Sequence, residues 1–193
     1  HMTMQKIDQF SLSITPHHLF DVKSVLLTCG DLQTGKFNAM TIGWGAIGTM
    51  WSKPAAWVAV RPSRYTFEFM EKYQDFTLTV FPDSYSAALS LLGTKSGRDG
   101  DKIKEAGLTP MPSMKVGSPT YQEAELSIEC KKIYWQDLQK ALKTPLGDRR
   151  LNDSDDSVLW YGIDRTGRAP AVTTELPSGR LKDVAAGLAA FRK

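Results

Sequence analysis

The residues best able to do chemistry in this chain of 193 residues gather in one stretch, Asn38 to Thr66. It opens with Asn38, Ala39, Met40 and Thr41, a short polar and thioether group, and runs on through Ile42, Gly43, Trp44 and Gly45. Glycines there let the backbone come close to a flat ligand. An apolar run from Ala55 to Val60 follows, and the stretch ends at Arg61, Pro62, Ser63, Arg64, Tyr65 and Thr66. Arginines at 61 and 64 can offer forked charge to a phosphate, and Ser63 and Thr66 offer hydroxyls. A helix starting here, with Ser63 as its N-cap, adds orphan amides and a positive dipole end. The two ends together describe a site for a phosphate-bearing aromatic ligand. Its planar ring has a polar edge that takes amides and short polar side chains, and apolar faces that take packing partners, as a flavin ring does. Each part also has an ordinary reading: Asn38 as a turn amide, Trp44 as core, and the helix start as a capped helix with solvated arginines.

A second polar segment, Gly93 to Lys102, is rich in glycine and basic residues. It lacks the GxxxxGK[ST] spacing of a phosphate-binding P-loop. It could bring Lys95, Ser96 and Lys102 to a phosphate or a ring carbonyl, or it could be a solvated loop. Adjacent His17 and His18 are poor metal ligands, because neighbours on an extended segment point to opposite faces. Cys29 and Cys130 have neither a metal spacing nor a redox CxxC spacing.

These residues need a scaffold, and the hydrophobic pattern supplies one made mostly of strands. Residues 3–21 read as a strand or extended arm. Lys23 to Cys29 is a strand by β-branched content, Asp31 to Lys36 a turn, and Phe37 opens the return strand of a hairpin. Pro54 to Val60 is apolar on both faces and reads as a buried strand. Arg64 to Lys72 reads as a helix. Asp75 to Phe81 alternates cleanly, with Phe76, Leu78 and Val80 on one face. A helix follows from Tyr85 to Leu92, then a short one ending at Gly107, then a proline-rich connection over 109–119. Ala124 to Lys132 alternates again: Ala124, Leu126, Ile128 and Cys130 point inward, and Glu125, Ser127, Glu129 and Lys131 point outward. Cys130 is thereby a buried small hydrophobe. Residues 138–156 read as a polar excursion, Val158 to Ile163 as a last strand, and 164–193 as a tail, helical from about Lys182. Trp160 or Tyr161 could close over a ligand.

The composition, 41% hydrophobic and 23% charged, is that of one globular domain over 1–193. A net charge of +3, with lysines and arginines scattered, gives no reason to expect nucleic acid. No apolar run approaches the roughly 20 residues of a membrane span. No signal peptide is visible after His1-Met2, which read as a tag remnant. Two cysteines outside any framework point to a reducing cytoplasm.

NAMTIGW, the apolar strand, RYT before a helix, SGRDGDK and EAELSIEC occur in that order. Together they closely resemble the flavin reductase-like, FMN-binding split-barrel family, its flavoredoxin-like members most of all, over roughly Lys23 to Gly162. The resemblance implies a mostly β fold with short helices: a split β-barrel of Greek-key, antiparallel type. It implies a homodimer with one non-covalent FMN per subunit. Asn38, Met40, Thr41 and Trp44, with Ala39, Ile42 and Gly43 between them, would line the ring. Arg64 and Thr66, with Ser63 and Arg61, would hold the phosphate. Ser96, Gly97 and Lys102, with Lys95 beside them, would complete the contacts. The implied activity carries electrons from NAD(P)H through FMN to a flavin, a metal complex or a protein acceptor, with no catalytic side chain, no metal, no nucleic acid and no membrane. One departure stands out. Many relatives carry Gly-Asp-His in the second half, whereas here Gly147-Asp148-Arg149 occupies that place and no histidine follows His18. An arginine there would attract an anionic substrate or a nicotinamide phosphate. Two other readings stay open: a non-enzymatic FMN-binding electron carrier, and a barrel binding another phosphorylated aromatic such as pyridoxal phosphate.

Overall fold

The computed structural model describes residues 5–8, 11–50, 52–137 and 158–163. Its first hairpin is the one the sequence predicts. Strand β1 (Val25–Asp31) pairs antiparallel with β2 (Lys36–Ile42), Asp31 opposite Lys36 and Cys29 opposite Asn38. The turn closes because the Asp31 carboxylate accepts from the Gln33 amide at 2.9 Å and the Thr34 hydroxyl at 3.0 Å, while Gly35 takes the left-handed conformation at φ 68°.

Five more strands complete the main sheet: β3 (Gly45–Met50), β4 (Lys53–Val60), β5 (Asp75–Val80), β8 (Leu126–Asp137) and β9 (Val158–Ile163). Between β5 and β8, two-residue strands β6 (Pro110–Met111) and β7 (Thr120–Tyr121) pair with each other. The order of the seven is β2-β1-β5-β8-β9-β4-β3, and every pair is antiparallel. The sheet does not close: β2 and β3 are its two edges, and the Gly43-Trp44 corner joins them. A backbone hydrogen bond from Ala59 N to Trp44 O, 3.1 Å, ties that corner to β4. The chain can turn so tightly because the corner is filled from behind. A Cβ on Gly45 would enter the buried Phe20 ring, and one on Gly43 would touch the Phe20 carbonyl at 3.4 Å.

Among the described residues three α-helices dress this sheet: α1 (Tyr65–Lys72), α2 (Ser86–Thr94) and α3 (Lys102–Glu105). Strand alternation splits the side chains of β2 between two cores. Met40 and Ile42 join the larger core inside the curled sheet, with Val58, Val60, Met70, Phe76, Leu78 and Ile128. Phe37 and Ala39 join the smaller one, with Leu89, Leu92, Ile103 and Tyr121 under α2 and α3. Strand β2 is therefore held from both faces.

Several expectations need correction. The N-terminal segment is not extended throughout: His18–Lys23 forms a π-helical turn that buries Leu19 and Phe20, and His17 and His18 lie on it exposed. The cap of α1 is Arg64, not Ser63, and no side chain accepts from its first turn. Strand β3, glycine-rich and without alternation, has no counterpart among the predicted elements. Ser127 and Glu129 are buried, not outward, and the 113–118 loop lies over the Glu129 carboxylate. Burial raises the Glu129 carboxyl pKa, and the amides of Met114 and Lys115, donating at 2.8 and 2.6 Å, oppose that rise. Glu129→Ala strands both donors, so unfolding free energy should fall by about 2 kcal/mol in a denaturant titration. The readings of 138–156, of the tail from 164, of Arg149, and of the Trp160 and Tyr161 side chains fall outside what is described.

Candidate functional site

The residues singled out by the sequence fall around one corner of the sheet, on two sides of the start of α1. Met40, Thr41, Ile42, Gly43 and Trp44 line a crevice of about 130 Å³ together with Ala59, Arg61 and Arg64. This is the C-terminal end of β2, an edge strand that has no strand on its outer side among the described residues. Thr41 is fixed by its hydroxyl, which donates to Leu89 O of α2 at 2.6 Å. Trp44 is 47% exposed, with the Arg61 guanidinium 4.9 Å from its ring centre. A large aromatic face half open to solvent beside unpaired backbone suits a planar partner.

Arg64 stands at the α1 start, exposed, its Nη1 3.5 Å from Gly93 O at the end of α2. Lys102 lies close by and is only 4% exposed. Its ammonium donates to Leu92 O at 2.8 Å and Lys95 O at 2.9 Å, satisfying carbonyls at and just beyond the end of α2. Burial first and the Arg64 charge second lower its pKa to about 8. Among the described residues neither cation has a carboxylate partner. Two cations side by side, next to uncapped first-turn amides, fit a phosphate group.

The remaining candidates separate. Asn38 is buried and donates to Thr66 Oγ1 at 2.8 Å, which links β2 to the first turn of α1. Both side chains brace the helix start from within. Ala39 is wholly buried under α2, and Ile42 belongs to the core. Ser63 is exposed on the turn before α1. Lys95 spends its charge on Glu105, 2.7 Å to each oxygen, and Ser96 caps a 3-10 turn over Gly97–Asp99 by accepting from Arg98 N at 3.2 Å. Gly97 lies against Asn38: a Cβ there would run into Asn38 Oδ1 and stand 3.0 Å from the Tyr65 ring. Gly97→Ala should therefore push the 96–102 loop outward and cost about 1–3 kcal/mol of stability, measurable by urea unfolding.

Sequence reasoning missed an aromatic ladder on α1. Tyr65, Phe69 and Tyr73 line up along one side: Tyr65 meets Phe69 edge-on with ring centres 5.1 Å apart, and Phe69 lies parallel to Tyr73 at 6.0 Å. The i, i+4, i+8 spacing in YTFEFMEKY carries that signal.

An open, curled antiparallel sheet, cut between β2 and β3 with a helix packed at the cut, is a split-barrel fold. The flavin reductase like domain family matches residues 19–142, and the chain belongs to that family. It is similar to an FMN-binding protein of Thermus thermophilus, with a TM-score of 0.58 and 19% identity over 79% of this chain and 70% of that one. Flavoredoxin of Desulfovibrio vulgaris (Miyazaki F) gives 0.57 and 22%, covering 76% and 74%. A split-barrel protein of Shewanella frigidimarina, provisionally named a flavin reductase, gives 0.61 and 18%, covering 79% and 67%. Identities this low speak for the fold alone. Among curated relatives, an uncharacterized protein of Pyrococcus abyssi is 36% identical over 74 residues, and the match spans 38% of this chain and 42% of that protein.

Proposed function

We propose that the chain is an FMN-binding oxidoreductase that takes electrons from NAD(P)H. One observation carries this reading: the open ring-facing corner Met40–Trp44 lies beside the unneutralised Arg64–Lys102 pair, in a chain of the flavin reductase-like family. FMN, when bound, accepts a hydride from the nicotinamide and passes electrons to a flavin, a metal complex or a protein acceptor. The protein's part is binding and orientation. Trp44 and Met40 offer apolar contact, and the free edge of β2 offers amides that favour negative charge at the ring's polar edge. Arg64, Lys102 and the α1 amides hold the phosphate; Arg61 adds charge over Trp44. Thr66 and Asn38 act from beneath, fixing the helix start. No side chain here is assigned to proton transfer.

The crevice of about 130 Å³ is well under the roughly 300 Å³ at which ligand pockets begin. One copy of the chain thus supplies one wall, and a second copy in a homodimer supplies the other. Among the described residues no helix is long and apolar enough to cross a membrane, and Cys29 and Cys130 are both buried and outside any disulfide. A reducing cytoplasm suits them.

The test is steady-state oxidation of NADH and of NADPH by FMN-loaded protein, with free FMN or ferricyanide as acceptor. Turnover with either nucleotide supports the enzyme. Retained FMN with negligible turnover favours the second reading, an electron carrier. Arg149 in place of the relatives' histidine is the observation behind that second reading.

A further inference from the structure

The corner that carries the flavin wall is filled from the inside by one residue. Phe20 is buried and lies on the π-helical turn His18–Lys23, just before β1. Its ring occupies the space where a Cβ on Gly45 would stand, and its carbonyl oxygen lies 3.4 Å from where one on Gly43 would stand. Both glycines that flank Trp44 therefore have their inner side closed by the same residue. Trp44 stands on the outer side, half exposed, and lines the crevice with Met40. A large indole gains by burial, so it stays outside only where the interior is already occupied.

The turn that carries Phe20 is fastened on both flanks. Leu19 N donates to Thr15 O at 2.9 Å, and Leu19 and Phe20 both enter the larger core with Ile42 and Val58. Lys23 Nζ lies 3.3 Å from the carboxylates of Asp83 and Glu125. Ser24 follows at φ 65° and ψ 145°, a backbone conformation that side chains rarely adopt. Such strain persists only where the surroundings over-determine it, and π-helical turns are frequent at functional sites.

We infer that Phe20 is a positioning residue for the flavin. From the core side it fixes the Gly43–Gly45 backbone and keeps the Trp44 indole turned out to the crevice. The inference rests on the flavin reading of that crevice. Phe20 is not among the crevice's lining residues and acts through Trp44. With its ring removed, an apolar space opens behind the corner, and the indole moves inward to fill it.

The test compares Phe20→Ala with Leu19→Ala, which removes a neighbouring core side chain from the same turn and leaves the contacts to the two glycines. Both should lower the melting temperature. Phe20→Ala should also weaken FMN and riboflavin binding alike, by about tenfold, the size of a lost aromatic packing partner. Leu19→Ala should change either affinity by less than about twofold, and Phe20→Leu, which refills most of the space, should restore most of the loss. Gly45→Ala reaches the same corner from the other side: its methyl meets the Phe20 ring and should weaken both flavins in the same way. This variant decides the matter if Phe20→Ala does not fold. In flavin-free protein the indole N–H resonance of Trp44, assigned by its loss in Trp44→Phe, should shift in Phe20→Ala and hold still in Leu19→Ala. A parent protein that retains neither flavin overturns the flavin reading and this inference with it. A parent that binds both, with Phe20→Ala binding equally well or losing no more than Leu19→Ala, overturns the inference alone, as does an unmoved Trp44 resonance.

Discussion

Arg64→Ala is expected to weaken FMN binding about 10- to 100-fold, since a charge-assisted contact to phosphate contributes about 1.5–3 kcal/mol. Riboflavin, which has the ring but no phosphate, should bind the variant and the parent protein alike. The prediction follows from position. Arg64 is the cap residue of α1, exposed, and anchored by its Nη1 contact to Gly93 O at 3.5 Å. Its removal leaves no buried group unpaired, so the fold should keep its melting temperature. Fluorescence titration of the two flavins checks it. Equal losses for FMN and riboflavin would place Arg64 at the ring; no loss for either would move the phosphate elsewhere.

Lys102→Met should cost more in stability and should abolish a pH dependence. The methionine fills a similar volume but leaves Leu92 O and Lys95 O without the donor that now meets them at 2.8 and 2.9 Å. Two carbonyls losing their partner amount to about 2–4 kcal/mol, read by urea unfolding. The sign of the pH effect is fixed by the lowered pKa. Between about 8 and 10.5 the folded chain has released a proton that the unfolded chain keeps, so in flavin-free protein this group makes stability rise with pH across that window. Phosphate binding favours the protonated ammonium and works in the opposite direction. FMN affinity should fall as pH climbs past about 8 in the parent protein and stay flatter in Lys102→Met.

These two residues differ in how far the sequence announces them. Arg64 stands in a stretch whose types alone suggest a phosphate: arginine, hydroxyls and a helix start. Lys102 sits in a glycine-rich loop that reads equally well as solvent-facing. Its burial depends on the end of α2 arriving beside it, which no local pattern encodes. The same limit explains β8. Alternation placed Leu126, Ile128 and Cys130 inside, as found, but it cannot show that the opposite face is covered too, with Ser127 buried and Glu129 under the 113–118 loop. Strand β3 was illegible for another reason. GAIGTM has neither alternation nor β-branched density, and it is a strand because β4 pairs with it from Gly45↔Val58 to Met50↔Lys53. The first hairpin, β5 and the helix after Arg61 were legible, since each carries its own period and turn chemistry. The site was half legible. Of NAMTIGW, Met40 to Trp44 line the crevice at the sheet's open corner, but the sequence could not show that Asn38 turns inward to Thr66 and that Ala39 packs under α2.

The central claim is that this corner holds FMN. The most direct measurement is the visible spectrum of the protein after incubation with FMN and gel filtration, with the oligomeric state read from the same column. The flavin bands should be retained, elute with a dimer at one FMN per chain, and be lost in Arg64→Ala. A folded protein that emerges colourless, or one that carries FMN as a monomer, would contradict the claim: the first removes the flavin, the second removes the shared site.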